Sequence, residues 1–172
     1  GHFGNVRFDA KDHKIDALAY IVEAKKLGIT LKQTIQKIKN ISIICPAQVT
    51  DFEHDDNQVI INYSYQDVLE TLSCKLMLAA DGAQSQIRKS LDLNTQIKSY
   101  HRTAIVCNIS PEKKHNNCAF ERFTQTGPTA MLPFTGNRCG FVWTVKEKDA
   151  EEVLSLKDED FLKQAQNHFG YR

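Results

Sequence analysis

Residues 75–88, KLMLAADGAQSQIR, constrain this chain more than any other stretch. Leu76, Met77, Leu78, Ala79 and Ala80 form an apolar run of strand length, too short for a core helix. Asp81-Gly82 then ends it, because glycine accepts backbone angles that other residues avoid. From Ala83 a short helix is predicted, with Ile87 and Leu91 on one side and Arg88 and Lys89 near its end. Strand, tight turn and helix N-terminus in succession is how an open α/β sheet builds a phosphate-facing edge. A plain structural turn is an equally good reading of these residues, since many strand-to-helix turns carry Asp-Gly and bind nothing.

The composition narrows the function classes. With 22 basic and 21 acidic residues among 172, the net charge of +1 gives no basis for binding nucleic acid or an anionic membrane. No apolar run approaches the length of a spanning helix, and residues 1–4 do not read as a signal peptide. Five widely spaced cysteines without a CxxC pair argue against a zinc site and for a reducing, cytoplasmic setting. Cys45, Cys74, Cys107 and Cys139 sit in or beside apolar runs, where thiols are commonly buried.

Taken in order, residues 1–8 and 17–23 read as extended segments around a charged loop at 9–16. Leu27, Leu31, Ile35 and Ile38 recur at helical spacing, predicting an amphipathic helix over 28–39 whose apolar face joins the core. Residues 41–45 (ISIIC) read as a buried strand ended by Pro46. Residues 48–52 and 59–65 form a hairpin across the polar turn 54–57, and 70–74 continues the meander. After a boundary near 92–97 come a strand at 99–109 and three more at 118–124, 129–134 and 138–145. Short turns join these into an antiparallel sheet. Helices follow at 147–154 and 158–169, the latter stopped by Gly170.

No GxxxxGK[ST], GxSxG or HExxH is present, so phosphate-loop, serine-hydrolase and zinc-protease chemistry have no support. Among the histidines only His101, at a strand start, is placed near the interior, and a structural role suits it better than a catalytic one. Besides the opening stretch, residues 119–133 (AFERFTQTGPTAMLP) stand out as a hairpin with one embedded charged pair, Glu121-Arg122. Either its charges face water, or one face walls an apolar cavity whose strand end Pro133 stiffens.

Together these two stretches resemble the flavin-dependent aromatic hydroxylases, the family of p-hydroxybenzoate hydroxylase. Its Asp-Gly motif is a polar residue, three apolar, two small, Asp-Gly, any, polar, Ser, any, apolar, Arg, and residues 75–88 match every position. Residues 119–133, RCGFVW (138–143), EEVLSLKDEDF (151–161) and HFGYR (168–172) are most similar to the ubiquinone-pathway hydroxylases within that family. The resemblance implies an α/β (α+β) architecture: part of a Rossmann-like FAD-binding domain over residues 1–95, and an antiparallel-sheet substrate domain with C-terminal helices over 96–172. It implies FAD as prosthetic group, NAD(P)H as reductant and O₂ as co-substrate, with oxygen placed on a polyprenylated phenol. Protein groups supply position, an apolar site and water exclusion.

By the same resemblance Asp81, Gly82, Ser85 and Arg88 are the cofactor-binding candidates. Asp81 acts through its turn, since a carboxylate repels a diphosphate. Arg88 anchors the helix by an ion pair. Phe120, Arg122, Phe123, Gly127, Pro128, Leu132 and Pro133 are the substrate-pocket candidates, with no catalytic residue singled out and no metal. The family's GxGxxG and second flavin motif are absent from these residues. Ile29 and Thr30 stand where Gln and Arg usually begin the helix near Gly28. The chain is therefore expected to be an internal fragment that by itself binds FAD weakly or not at all. Two alternatives stay open: the same fold with a different isoprenoid reaction, or a non-catalytic scaffold in a ubiquinone-synthesis complex. Membrane association is expected only through the substrate.

Overall fold

The computed structural model describes residues 4–170. They divide into two compact units, one of Ile29–Ile97 and the other of residues up to Gly28 together with those from Lys98 on.

The Ile29–Ile97 unit is built on an antiparallel sheet ordered β1-β2-β3, with β1 at Ala47–His54, β2 at Val59–Tyr65 and β3 at Val68–Cys74. Its turns are set by local chemistry. Asp55 Oδ1 accepts from the backbone N–H of Asn57 at 2.7 Å and of Gln58 at 2.9 Å, closing the β1–β2 turn. Gln66 and Asp67 both take positive φ, 50° and 63°, the backbone that a two-residue hairpin requires. Across β2–β3, Tyr63 pairs with Glu70, and its hydroxyl donates to Glu70 Oε2 at 2.6 Å. A short helix, α2, occupies Gln86–Ser90.

Three β-prone runs do not form strands. The segment 41–45 is extended but pairs with no described neighbour, leaving Ile41, Ile43, Ile44 and Cys45 exposed. Residues 76–80 behave alike, with Leu78 81 % exposed, and so does the 20–22 run in the other unit. Propensity describes fit to a pleated, half-buried surface, and a strand also needs a partner edge. Of the four thiols read as buried, only Cys139 is fully so.

The predicted amphipathic helix is α1, Ala24–Ile35, starting four residues earlier than its period suggests. The division between the units falls within it. Leu27 and Leu31 are exposed and no residue of α1 is buried, so its apolar face is not part of a core among the described residues. Ile29 and Thr30 therefore lie in its second turn, and its first turn, Ala24, Lys25, Lys26 and Leu27, likewise carries neither Gln nor Arg.

In the other unit, the charged loop holds a 3₁₀ turn, Ala10–His13, capped by the Asp9 carboxylate; residues 1–3 lie outside the described chain. The sheet here is antiparallel, ordered β4-β7-β6-β5, from β4 at Arg102–Ile109, β5 at Phe120–Phe123, β6 at Pro128–Pro133 and β7 at Cys139–Lys146. After β7 come α3, Ala150–Leu154, and α4, Asp158–Phe169, with Gly170 at φ 88° ending α4. Side chains alternate along each strand. Ile105, Phe141, Trp143 and Val145 meet Ala150, Val153 and Ala165 in one cluster, with Phe161 and Phe169 packed against it. Phe141 contacts the Phe161 and Phe169 rings edge-on, at centroid distances of 6.5 and 6.3 Å. His101 is exposed, because its strand starts only at Arg102, and the half-buried histidines among the described residues are His115 and His168.

Because Phe141 is 1 % exposed while Val106, on the opposite face, is 69 % exposed, the two faces differ in their tolerance of truncation. Phe141→Ala is expected to cost about 3–5 kcal/mol in chemical denaturation, and Val106→Ala less than about 0.5 kcal/mol. Equal losses would show that the faces are misassigned.

Candidate functional site

Two places collect the candidate residues, one in each unit. In the Ile29–Ile97 unit, Asp81, Gly82 and Ser85 form the turn ahead of α2, and Arg88, within α2, folds back onto it. Ser85 is the N-cap, 5 % exposed, and its Oγ accepts from the Arg88 N–H at 3.0 Å. Asp81 Oδ2 accepts from the Gln86 N–H at 2.9 Å. The Ser85 hydroxyl first, then the backbone N–H groups of the turn, hold the Asp81 carboxyl below its usual range against a smaller opposing effect of burial. The carboxylate thus serves the turn itself. Arg88 folds back so that its Nη2 donates to the Ala83 carbonyl at 2.6 Å, in place of the expected ion pair.

Gly82 has φ 86°, and nothing lies within 4 Å of where a Cβ would stand. An extended or flat group therefore has room to reach the backbone here. This fits FAD approached through neutral backbone, with the repelling carboxylate turned onto internal donors. The five residues of α2 are too few to hold an anion by their dipole alone.

The second place is the four-stranded sheet, whose register sorts the pocket candidates onto opposite faces. Arg122 pairs with Thr129 and Thr129 with Trp143, so Arg122 lies on the helix-covered face, with Phe120 and Pro133. There Arg122 Nη1 donates to the Phe169 carbonyl at the end of α4. Glu121, next in sequence, points the other way, so the embedded pair is not a pair. His168 stacks on Trp143 with ring centroids 5.1 Å apart, and its Nε2 lies 3.3 Å from Thr124 Oγ1. Burial first, then the Arg122 guanidinium, lowers its pKa.

The uncovered face carries Phe123, Pro128 and Leu132 of the candidates. Its floor is Val106, Val142 and Ala130, aligned across β4, β7 and β6. These three escaped the sequence reading; the alternation within β4 and β7 was the available signal, and the strand pairing needed to use it was not. The face is bounded at one end by Phe134, whose ring lies against Gly140, and at the other by Gly127 against Thr144. Gly127 has φ 137°, and a Cβ there would stand 2.5 Å from Thr144 Cγ2, so the turn requires glycine.

The FAD binding domain family matches residues 19–172. The chain is 31 % identical over 153 residues to ubiquinone hydroxylase UbiL of Rhodospirillum rubrum, covering 89 % of this chain and 35 % of that protein. It is 25 % identical over 169 residues to 3-demethoxyubiquinol 3-hydroxylase of Escherichia coli K12, covering 98 % and 42 %. The chain thus spans between a third and a half of the length of these relatives. Among solved structures, pqsL, a probable FAD-dependent monooxygenase from Pseudomonas aeruginosa, superposes with a TM-score of 0.68 at 16 % identity, over 84 % of this chain and 40 % of that one. At that identity the likeness shows the fold.

The Asp81 turn makes two measurable claims. Ser85→Ala is expected to lose about 1 kcal/mol of local stability, seen as faster amide exchange at Arg88. Since folding depresses the Asp81 pKa, its contribution is complete above the unperturbed value of 3.8 and is lost as pH falls through the folded value. Protection factors in α2, exchange corrected for its intrinsic pH dependence, should fall at acid pH in the native chain and not in Asp81→Asn; equal acid sensitivity of both would refute the assignment.

Proposed function

Because the chain belongs to the FAD binding domain family, we propose that it is part of an FAD-dependent monooxygenase that hydroxylates a polyprenylated phenol in ubiquinone biosynthesis, using NAD(P)H and O₂. The observation that carries this reading is the uncovered sheet face, where Val106, Val142, Ala130 and Leu132 offer a hydrocarbon-compatible floor. A phenol bearing an isoprenoid tail matches such a surface, since burying apolar area drives its binding. The names of the relatives support the pathway.

FAD, reduced by NAD(P)H, supplies the oxygen-activating chemistry when bound. The chain's own residues do the rest. Asp81 and Ser85 fix the turn, and Gly82 leaves its backbone open to the cofactor. The floor residues exclude water and orient the ring, while Phe123 and Pro128 flank the same face. Arg122, Phe120 and Pro133 act from the covered side, holding the sheet to α4 in the case of Arg122. In functional terms residues 1–95 serve the flavin and 96–172 the substrate. Among the described residues no helix is long and apolar enough to cross a membrane. The polyprenyl tail brings the protein to the inner face of the membrane from the cytoplasmic side, where other ubiquinone-synthesis proteins are its partners.

The test is an assay of the natural-length protein with FAD, NAD(P)H, ¹⁸O₂ and a polyprenylated phenol. One labelled oxygen in the ring product is expected. Reductant consumption with an unchanged phenol, or product from another isoprenoid alone, overturns the reading. Val142→Asp, which places a charge on the floor, should lower kcat/KM at least about tenfold while flavin absorbance is retained. Gly82→Val should lower flavin occupancy.

A further inference from the structure

One end of the uncovered face is basic. Arg102 and Lys146 stand directly opposite each other in the β4–β7 register, on the same side as Val106 and Val142. Like charges in that position repel. Among the described residues neither meets a carboxylate, and the same holds for Lys148 just beyond β7. With His101 and Glu147 these three line one open depression. Glu147 lies 3.5 Å from His101 Nδ1, so the one carboxylate of the depression faces the histidine. At its margin Tyr100 is 76 % exposed, with Lys98 Nζ 5.9 Å from its ring centroid. The chain as a whole is nearly neutral at +1, so this is a local concentration of charge. Beyond it the floor of the uncovered face is apolar, with Phe123 81 % exposed and Glu121 the acidic residue on its far edge strand.

We infer that this rim, Arg102, Lys146 and Lys148 with Lys98 and Tyr100, docks the protein on an anionic phospholipid surface. Cationic side chains placed side by side at cost to the sheet recover that cost beside lipid phosphates, and the field acts within about a Debye length of the surface. An exposed tyrosine with a lysine beside it suits the headgroup level, where an apolar body and a polar tip are both satisfied. The apolar floor begins two same-face pairs inside the rim, past Ala104 and Thr144, so docking sets that floor towards the bilayer. On the hydroxylase reading the isoprenoid tail then passes from lipid to protein without crossing water; the docking itself rests on the charge placement alone.

The natural-length protein, floated with phosphatidylcholine vesicles containing phosphatidylglycerol, is expected in the vesicle fraction at low ionic strength. Arg102→Glu/Lys146→Glu should reduce that fraction at least about tenfold, and Lys148→Glu, an exposed position tolerant of change, should reduce it measurably. Lys113→Glu/Lys114→Glu, carrying the same charge change in the loop before β5, should bind as the native protein does. Equal binding to phosphatidylcholine alone, no binding at all, or binding unaffected by the rim variants overturns the proposal. So does displacement by inorganic pyrophosphate at matched ionic strength, which marks a site for a soluble phosphate. No flavin, reductant or phenol is present, so failure here and failure of the proposed reaction are separately visible.

Discussion

The position of β7 between β4 and β6 is the constraint on which the larger unit depends. A strand paired on both edges cannot turn about its axis, so Cys139, Phe141, Trp143 and Val145 are committed to one face. That face is where α3 and α4 pack, and Phe161 and Phe169 close on Phe141 from the helix side. The register then passes the commitment outward. Thr129 and Arg122 inherit the covered face from Trp143, and Ala130 and Glu121 the uncovered one from Val142. A side chain on the edge strand β5, two strands from β7, thus has its role set by a neighbour distant in sequence.

The Asp81 turn works on a smaller scale by the same logic of commitment. Its carboxylate is occupied by the Ser85 hydroxyl and the Gln86 N–H, and Ser85 by the Arg88 N–H. What is left free is the backbone around Gly82. On the proposed reading, an anionic cofactor can approach this turn despite Asp81, because the charge is satisfied internally and the open side is neutral.

Local chemistry was legible in the sequence, and long-range placement was not. Turns at Asp55–Gln58, Gly127-Pro128 and Gly170 were readable because each rests on the conformational demands of one or two residues. The family was readable from residues 75–88, where spacing carries the information. The faces of Phe120, Arg122 and Phe123 were not, because adjacent residues differ only in parity and parity needs a partner strand. His101 and His168 were misjudged for the same reason: burial of His168 comes from Trp143, 25 positions away. The runs 41–45 and 76–80 carry strand propensity without a described edge to satisfy it, so composition alone overstated the sheet.

Arg122 shows why a motif residue need not touch what the motif serves. Its guanidinium satisfies the last turn of α4, where carbonyls lack intrahelical donors and the dipole favours a cation. Gly170 takes φ 88°, a conformation that favours glycine, and a Cβ there would make the Arg122 guanidinium shift. That clamp fixes β5, and β5 carries Phe123 on the uncovered face, opposite Arg122. Substituting Arg122 would therefore disturb that face through the strand, and loss of function at this position is not by itself a sign of contact with substrate. The covered side holds the shape, and the alternate residues of the same strands are left free for binding.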